Sequence, residues 1–260
     1  MSSNPSYLIV KKTLGLVTIS LNRPKANSYY KGFLEQISAT VNRASADDAV
    51  KVILINSTSE KFFCAGADIK IFSQNTTEEN AEMVLAARAV SEAISRSPKI
   101  VIAAVSGHCL GGGLELIMAC DIRLGAEGNY LIGLPEVKLG LMPGNGGTPR
   151  MIDLLGASRA MELLVTGNNI SPQKAYDFGL FNQLYPANAF EAKVAEYIHE
   201  LTLGAGEAMA AIKKYVQMHK GMTLQESLDF ETDSVHALYD THDAKEGFLA
   251  FVEKRKPNYK

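Results

Sequence analysis

The stretch Ile102–Asp121, IAAVSGHCLGGGLELIMACD, passes from an apolar run through three consecutive glycines into a helical pattern. Three glycines in a row cost conformational entropy, so we expect them where the backbone approaches another group closely. At the start of a helix, free N–H groups and the helix dipole would face an anion or a developing oxyanion. The other interpretation is a tight strand–helix packing turn, with Glu115 favourable to the dipole. The residues alone leave both open.

The segments around this stretch alternate between strand and helix patterns, which predicts an α/β fold. Apolar or alternating runs predict strands at Tyr7–Val10, Leu16–Leu21, Val50–Asn56, Phe62–Ala67, Ile100–Val105 and Asp121–Gly125. Helical spacing predicts helices at Lys31–Ser45, Thr77–Ser95 and Leu114–Asp121, with a glycine-rich turn over Gly107–Gly113. Short apolar strands between helices indicate parallel pairing with both sheet faces covered.

The last part of the chain has a different pattern. From about Arg150 onward the signals are almost all helical, ending in amphipathic stretches over Glu191–Met218 and Leu224–Arg255. We therefore predict two regions: an α/β core over residues 1–186 that contains the active site, and a helical region over residues 187–260.

Composition excludes several classes of protein. The chain has 260 residues, 47% of them hydrophobic and 21% charged, and a net charge of −2, as in an ordinary globular enzyme. No global positive field is present to hold nucleic acid. The longest apolar run, Ile100–Val105, is too short for a bilayer that needs about 20 residues. Three cysteines without a C-x-x-C pair, and no signal-like apolar segment in MSSNPSYLIVKK, favour a reducing, cytoplasmic location.

Two glutamates are candidate acid–base groups. Glu115 lies three residues after Gly112, so its side chain and the backbone donor can face one cavity. Glu136 follows Pro135 in a loop rich in glycine and proline. Two nearby carboxylates would allow the general acid and general base roles to be divided. For Glu136 alone, a loop side chain that caps a helix or is solvated is the simpler interpretation; for Glu115 alone, a first-turn residue favourable to the dipole is equally simple.

A third candidate segment is FFCAGADIK, Phe62–Lys70, where a strand pattern ends in a small-residue turn whose backbone could supply a second oxyanion donor. Other site motifs fail. Gly113 occupies the position where a P-loop needs lysine, and the five histidines have no metal-ligand spacing. We therefore predict no metal site.

Together these segments resemble the enoyl-CoA hydratase/isomerase family, the crotonase superfamily. The resemblance runs through SLNRPKAN (Ser20–Asn27), FFCAGADIK, IAAVSGHCLGGGLELIMACD, GLPEVKLGLMPGNGGTPR (Gly133–Arg150) and HDAKEGFLAFVEKRKPNY (His242–Tyr259). It implies a crotonase-like core of repeated β-β-α units and a C-terminal helical region that assembles trimers, or hexamers formed from two trimers. It also implies an acyl-CoA thioester substrate and no cofactor beyond the coenzyme A moiety.

The resemblance further implies roles for individual residues. The oxyanion donors would be the N–H groups of Ala67 and Gly112. Glu115 would activate the water that adds at Cβ, Glu136 would exchange the proton at Cα, and Gly144 would help to hold the water. Positions that match coenzyme A contacts are Ala26, Ala65, Lys70 and, from a neighbouring subunit, Lys254.

The leading interpretation is an enoyl-CoA hydratase that adds water reversibly to a trans-2-enoyl-CoA. One alternative is an isomerase, or a dehydratase or decarboxylase of a carrier-protein-bound thioester. Another is a catalytically idle homologue that serves as an interaction module. The presence of Glu115 favours the hydratase. Departures from the family pattern place acyl specificity in question: Tyr29, Tyr30, Ile132 and Pro149.

Overall fold

The computed structural model describes residues 6–260. The first five residues of the predicted core region 1–186 therefore lie outside the described residues. Its largest sheet has six strands in the order β1-β2-β3-β5-β7-β9. The strands are β1 (Leu8–Thr13), β2 (Gly15–Leu21), β3 (Val50–Ser57), β5 (Ile100–Val105), β7 (Ile122–Ala126) and β9 (Gln183–Tyr185). Only β1 and β2 pair antiparallel; the other neighbours are parallel, as the apolar runs predict.

A second, smaller sheet contains three short parallel strands in the order β4-β6-β8. They are β4 (Phe62–Cys64), β6 (His108–Leu110) and β8 (Ile132–Gly133). Each follows a strand of the large sheet and precedes a helix or helical turn. These successive units, with one strand in each sheet, are the β-β-α repeats that the resemblance implies.

Eleven α-helices surround the two sheets in residues 6–260. They are α1 (Lys31–Ser45), α2 (Ile69–Gln74), α3 (Thr77–Arg96), α4 (Gly112–Ala119), α5 (Gly147–Leu155), α6 (Ala157–Thr166), α7 (Pro172–Asp177), α8 (Phe190–Thr202), α9 (Gly206–Met218), α10 (Leu224–Tyr239) and α11 (His242–Val252). The main core lies between the sheets and α1, α3 and α4, and a smaller one lies under α8. None of these helices is long and apolar enough to cross a membrane.

Several local predictions need correction. The predicted turn over Gly107–Gly113 contains β6, and the loop after β7 contains β8. Strands β6 and β8 are too short to show the alternation of apolar and polar residues that identifies a strand. The predicted helix Glu191–Met218 is two helices, because Gly204 and its neighbours interrupt it. The predicted helix Leu224–Arg255 also divides, where the Thr241 side chain accepts a hydrogen bond from Ala244 N at 3.1 Å and caps α11.

Candidate active site

The three strands of the small sheet bring three distant segments to one edge. Because β4, β6 and β8 are parallel, the residues after their carboxyl ends meet at that edge. These residues are Ala65–Ala67, Gly111–Gly113 and Leu134–Glu136. A hydrogen bond of 2.9 Å from Gly111 N to Gly133 O joins two of the segments.

Two backbone N–H groups at this edge have no acceptor within residues 6–260. Tyr29 N donates to Gly66 O, and Asp68 N donates to Tyr29 O, both at 2.8 Å. This parallel bridge directs the N–H of Ala67 away from the paired strand. Gly112 is the first residue of α4, where an N–H has no intrahelical acceptor. Both residues line the same cavity, so both donors can face a ligand there.

Gly111 and Gly112, at the start of α4, are glycines for different structural reasons. Gly111 has a φ of 53°, a left-handed conformation that favours glycine. At Gly112 the cause is space, because a Cβ there would overlap the hydroxyl of Tyr29 and lie 2.5 Å from its Cζ. The backbone of α4 therefore approaches the phenol more closely than any side chain would permit.

Glu115 is 3% exposed and is held by the loop before α5. Its Oε1 accepts hydrogen bonds from Asn145 N at 2.9 Å and Gly147 N at 2.8 Å. Burial raises the pKa of this carboxyl, while the two backbone donors and the positive charge of Arg150 oppose the rise. Its Oε2 makes no hydrogen bond within the described part of the chain, so it can accept one from a ligand.

Glu136 begins the 3-10 helix Glu136–Leu139 and lies across the cavity edge from α4. A Cβ at Gly111 would lie 3.2 Å from Glu136 Oε1, which places this carboxylate over the glycine turn. Its Oε2 is buried and has no hydrogen-bond partner. Burial raises the pKa of Glu136 to about 7, and the negative charge of Glu115 adds to the rise. Glu136 can therefore gain or lose a proton near neutral pH.

The cavity has a volume of about 220 Å³ and is mostly apolar away from these groups. Its apolar wall comes from α2, α3, the end of the 3-10 helix and the loop after it: Ile69, Phe72, Met83, Val84, Ala87, Leu139, Leu141 and Met142. Gly144 also lines it, as the resemblance implies. The space is large enough for a small apolar group next to the two carboxylates.

The predicted coenzyme A positions differ in their relation to this cavity. Ala65 lines it, and Ala65 N donates to Ala26 O at 3.0 Å, which places Ala26 next to it. Lys70 is exposed in the first turn of α2 and does not line the cavity. Lys254 is exposed after α11 and is not a lining residue either.

The segment before Tyr29 is fixed by a buried asparagine. Asn27 is 1% exposed and accepts a hydrogen bond from Arg23 N at 2.7 Å. Its Nδ2 donates to Ser57 Oγ at 2.8 Å and to Phe63 O at 2.9 Å, so it ties this segment to β3 and β4. Arg23 also forms an ion pair of 2.9 Å with Asp68, beside Ala67. These contacts fix the segment that contains Ala67 next to the cavity.

Sequence reasoning did not assign a role to Asn145, Gly147 or Tyr29. Asn145 and Gly147 act through their backbone N–H groups, which no side-chain pattern reveals. The glycines around them in the G-N-G-G run were the available signal. Tyr29 appeared in the sequence only as a departure from the family pattern, and the structure places it in the cavity.

The residues at this edge are suited to proton transfer and to stabilising an oxyanion. In the described chain, no group of three His, Cys, Asp or Glu side chains is arranged to hold a metal ion. Two backbone donors can stabilise negative charge on a carbonyl oxygen, and two carboxylates can move protons at neighbouring atoms. This combination fits addition or elimination next to a thioester carbonyl.

Comparisons with known proteins identify the family of the chain. The enoyl-CoA hydratase/isomerase family matches residues 11–260. A probable mitochondrial enoyl-CoA hydratase of Dictyostelium discoideum is 40% identical, over 96% of this chain and 88% of that protein. A probable enoyl-CoA hydratase of Bacillus subtilis is 35% identical over 99% of both chains. A crystal structure of an enoyl-CoA hydratase from Geobacillus kaustophilus superimposes with a TM-score of 0.95 at 37% identity, covering 99% of this chain and 98% of that one.

The chain belongs to the enoyl-CoA hydratase/isomerase family, and it has the crotonase fold with two sheets and a C-terminal helical region. The family acts on coenzyme A thioesters without a further cofactor, which supports the same substrate class for this chain.

Proposed function

We propose that this protein is an enoyl-CoA hydratase that adds water reversibly to a trans-2-enoyl-CoA. The observation that carries the proposal is one cavity that contains two unpaired N–H groups, at Ala67 and Gly112, and two carboxylates, Glu115 and Glu136. An isomerase needs only one carboxylate, so the buried and backbone-held Glu115 supports the hydratase.

The thioester oxygen would accept hydrogen bonds from Ala67 N and Gly112 N. Glu115 Oε2 would take a proton from water as the water oxygen forms its bond to Cβ. The π electrons of the double bond move toward the thioester oxygen, and the enolate then takes a proton at Cα from Glu136. The elements of water are added, and one proton has passed from Glu136 to the substrate while another has reached Glu115. The two carboxylates therefore share one proton, which Glu136 carries before hydration and Glu115 carries afterwards.

The other groups have supporting roles in this proposal. Gly144, at the cavity wall, would hold the attacking water through its backbone. Ala26, Ala65 and Lys70 would contact the coenzyme A moiety at the opening of the cavity. Lys254 does not line the cavity of its own chain, and we propose that it serves the site of a neighbouring subunit.

We also propose a homotrimer or a dimer of trimers, formed through the helical region 187–260. Helices α9 and α10 each bury a single residue within the described chain, which is unusual for amphipathic helices. Large apolar side chains are exposed along this region: Ile212, Val216, Leu224, Leu228, Phe248, Phe251 and Val252. A surface of this kind requires a partner to cover it.

The test is the absorbance of crotonyl-CoA near its enone band, with product mass determined in parallel. We expect absorbance to fall after enzyme is added and the product mass to increase by one water. Constant absorbance together with no water gain would contradict the hydratase.

An isomerase is the second candidate, because burial raises the pKa of Glu136 to about 7 and its Oε2 has no hydrogen-bond partner within the described chain. Proton exchange at Cα separates the two. If Glu136→Gln removes the exchange while Glu115→Gln retains both exchange and turnover of a 3-enoyl-CoA, the isomerase is supported.

A further inference from the structure

Tyr29 is a third polar group of the cavity. Its side chain is 8% exposed and packs in the main core, yet it lines the cavity together with Glu115 and Glu136. The hydroxyl lies against the Cα of Gly112, where a Cβ would overlap it. Its backbone pairs with Ala67, so Tyr29 contacts both segments that supply the oxyanion donors.

The Tyr29 hydroxyl has no hydrogen-bond partner among residues 6–260, although the ring is buried. The hydroxyl oxygen is not fully enclosed, since Tyr29 lines the cavity, so a ligand there can accept its hydrogen bond. Burial first, and then the electrostatic interactions with Glu115, Cys64 and Glu136, raise the pKa of Tyr29 well above its usual value. The phenol therefore remains neutral and retains its proton as a donor.

The neighbouring Tyr30 has a different environment. Its ring lies 6.5 Å from that of Tyr7 and 5.2 Å from the guanidinium carbon of Arg23, and Tyr30 does not line the cavity. Of the two adjacent tyrosines, only Tyr29 presents a hydroxyl beside the carboxylates. Tyr30 is therefore a matched control.

We propose that Tyr29 is a further catalytic residue, whose hydroxyl donates a hydrogen bond to the oxygen at Cβ of the acyl chain. This inference rests on the proposed hydration. Glu115 Oε2 accepts a hydrogen bond from that oxygen, and Tyr29 donates one to it. In the transition state the oxygen has partial hydroxide character, so a neutral donor stabilises it in both directions of the reaction.

The test compares two ligands that differ by one oxygen, 3-hydroxybutyryl-CoA and butyryl-CoA. Calorimetric titration of wild type, Tyr29→Phe and Tyr30→Phe measures the affinity of each. We expect Tyr29→Phe to weaken the hydroxylated ligand by about 3- to 10-fold and to change butyryl-CoA by less than about twofold, as for loss of one hydrogen bond. In hydration of crotonyl-CoA, kcat should fall about tenfold or more with little change in KM, and Tyr30→Phe should behave as wild type.

Two results would overturn the proposal. Equal weakening of both ligands would mean that Tyr29 supports the backbone of Gly112 without contacting the Cβ oxygen. Unchanged affinity for both would mean that the hydroxyl touches no substrate atom. If wild type fails to hydrate crotonyl-CoA, the proposed function fails, but the binding comparison still decides where the hydroxyl acts.

If Tyr29→Phe does not fold, as judged by circular dichroism, 3-fluorotyrosine at position 29 replaces it. Fluorination makes the phenol a stronger donor, so affinity for 3-hydroxybutyryl-CoA should rise relative to butyryl-CoA. An unchanged ratio of the two affinities would contradict the assignment.

Discussion

Adding one methyl group at Gly112 should disrupt the site with little change in chemistry. In Gly112→Ala the new Cβ would overlap the Tyr29 hydroxyl and lie 2.5 Å from Cζ, whereas ordinary contacts begin near 3.4 Å. The phenol ring or the start of α4 must therefore move by well over 1 Å to relieve the overlap with the hydroxyl, and overpacking of this kind costs about 1–3 kcal/mol. A displacement of that size moves the Gly112 N–H from its position, and loss of one such donor reduces kcat by about 10²–10³-fold.

The assay measures kcat for crotonyl-CoA hydration and the free energy of urea unfolding on the same preparation. Gly221→Ala is the matched control, because nothing lies within 4 Å of a Cβ at Gly221 and its φ is outside the left-handed region. The control should retain wild-type stability and rate. A Gly112→Ala enzyme with wild-type stability and kcat would refute the close packing of Tyr29 on Gly112.

Three further predictions concern pH, folding and assembly. Burial raises the pKa of Glu136 to about 7, and the two carboxylates must share one proton in the active enzyme. We therefore expect kcat/KM to decline as pH rises through about 7, with the same midpoint in both reaction directions. A rate that still increases up to pH 9 would contradict this prediction. Lys213→Met should cost about 3–5 kcal/mol of unfolding free energy in urea, because it breaks the buried 2.7 Å ion pair with Asp121, while exposed Lys214→Met should be nearly neutral. Light scattering should give the mass of three or six 28.1 kDa chains and a lower mass for Phe251→Asp; an active wild-type monomer would exclude the assembly.

The fold was predictable where an element is long enough to show its period. Helix α1 begins and ends at Lys31 and Ser45, as its apolar spacing predicts, and the apolar run Ile100–Val105 is strand β5. Strands β6 and β8 have three and two residues, and their pairing depends on contacts distant in sequence. No local pattern could have indicated them, although they bring the site together.

The side chains of the candidate site could be predicted from the sequence, because carboxylates and glycine runs are visible in it. Glu115 and Glu136 lie in one cavity, as the two-carboxylate hypothesis requires, and the three-glycine run leads into a helix with a free N–H. The support of Glu115 comes from backbone groups of Asn145 and Gly147, whose positions follow from the tertiary fold. The position of Tyr29 depends on its bridge to Ala67, which joins segments that are far apart in the chain.

The most direct measurement of the central claim is the initial rate of crotonyl-CoA hydration for wild type, Glu115→Gln, Glu136→Gln and the double variant. Each single substitution should lower kcat by about 10²–10⁴-fold with little change in coenzyme A affinity, since each removes a proton-transfer group. The double variant should lose far less than the product of the two factors, because both carboxylates act in one transition state. Fully multiplicative losses, or near-normal turnover in either single variant, would contradict the account.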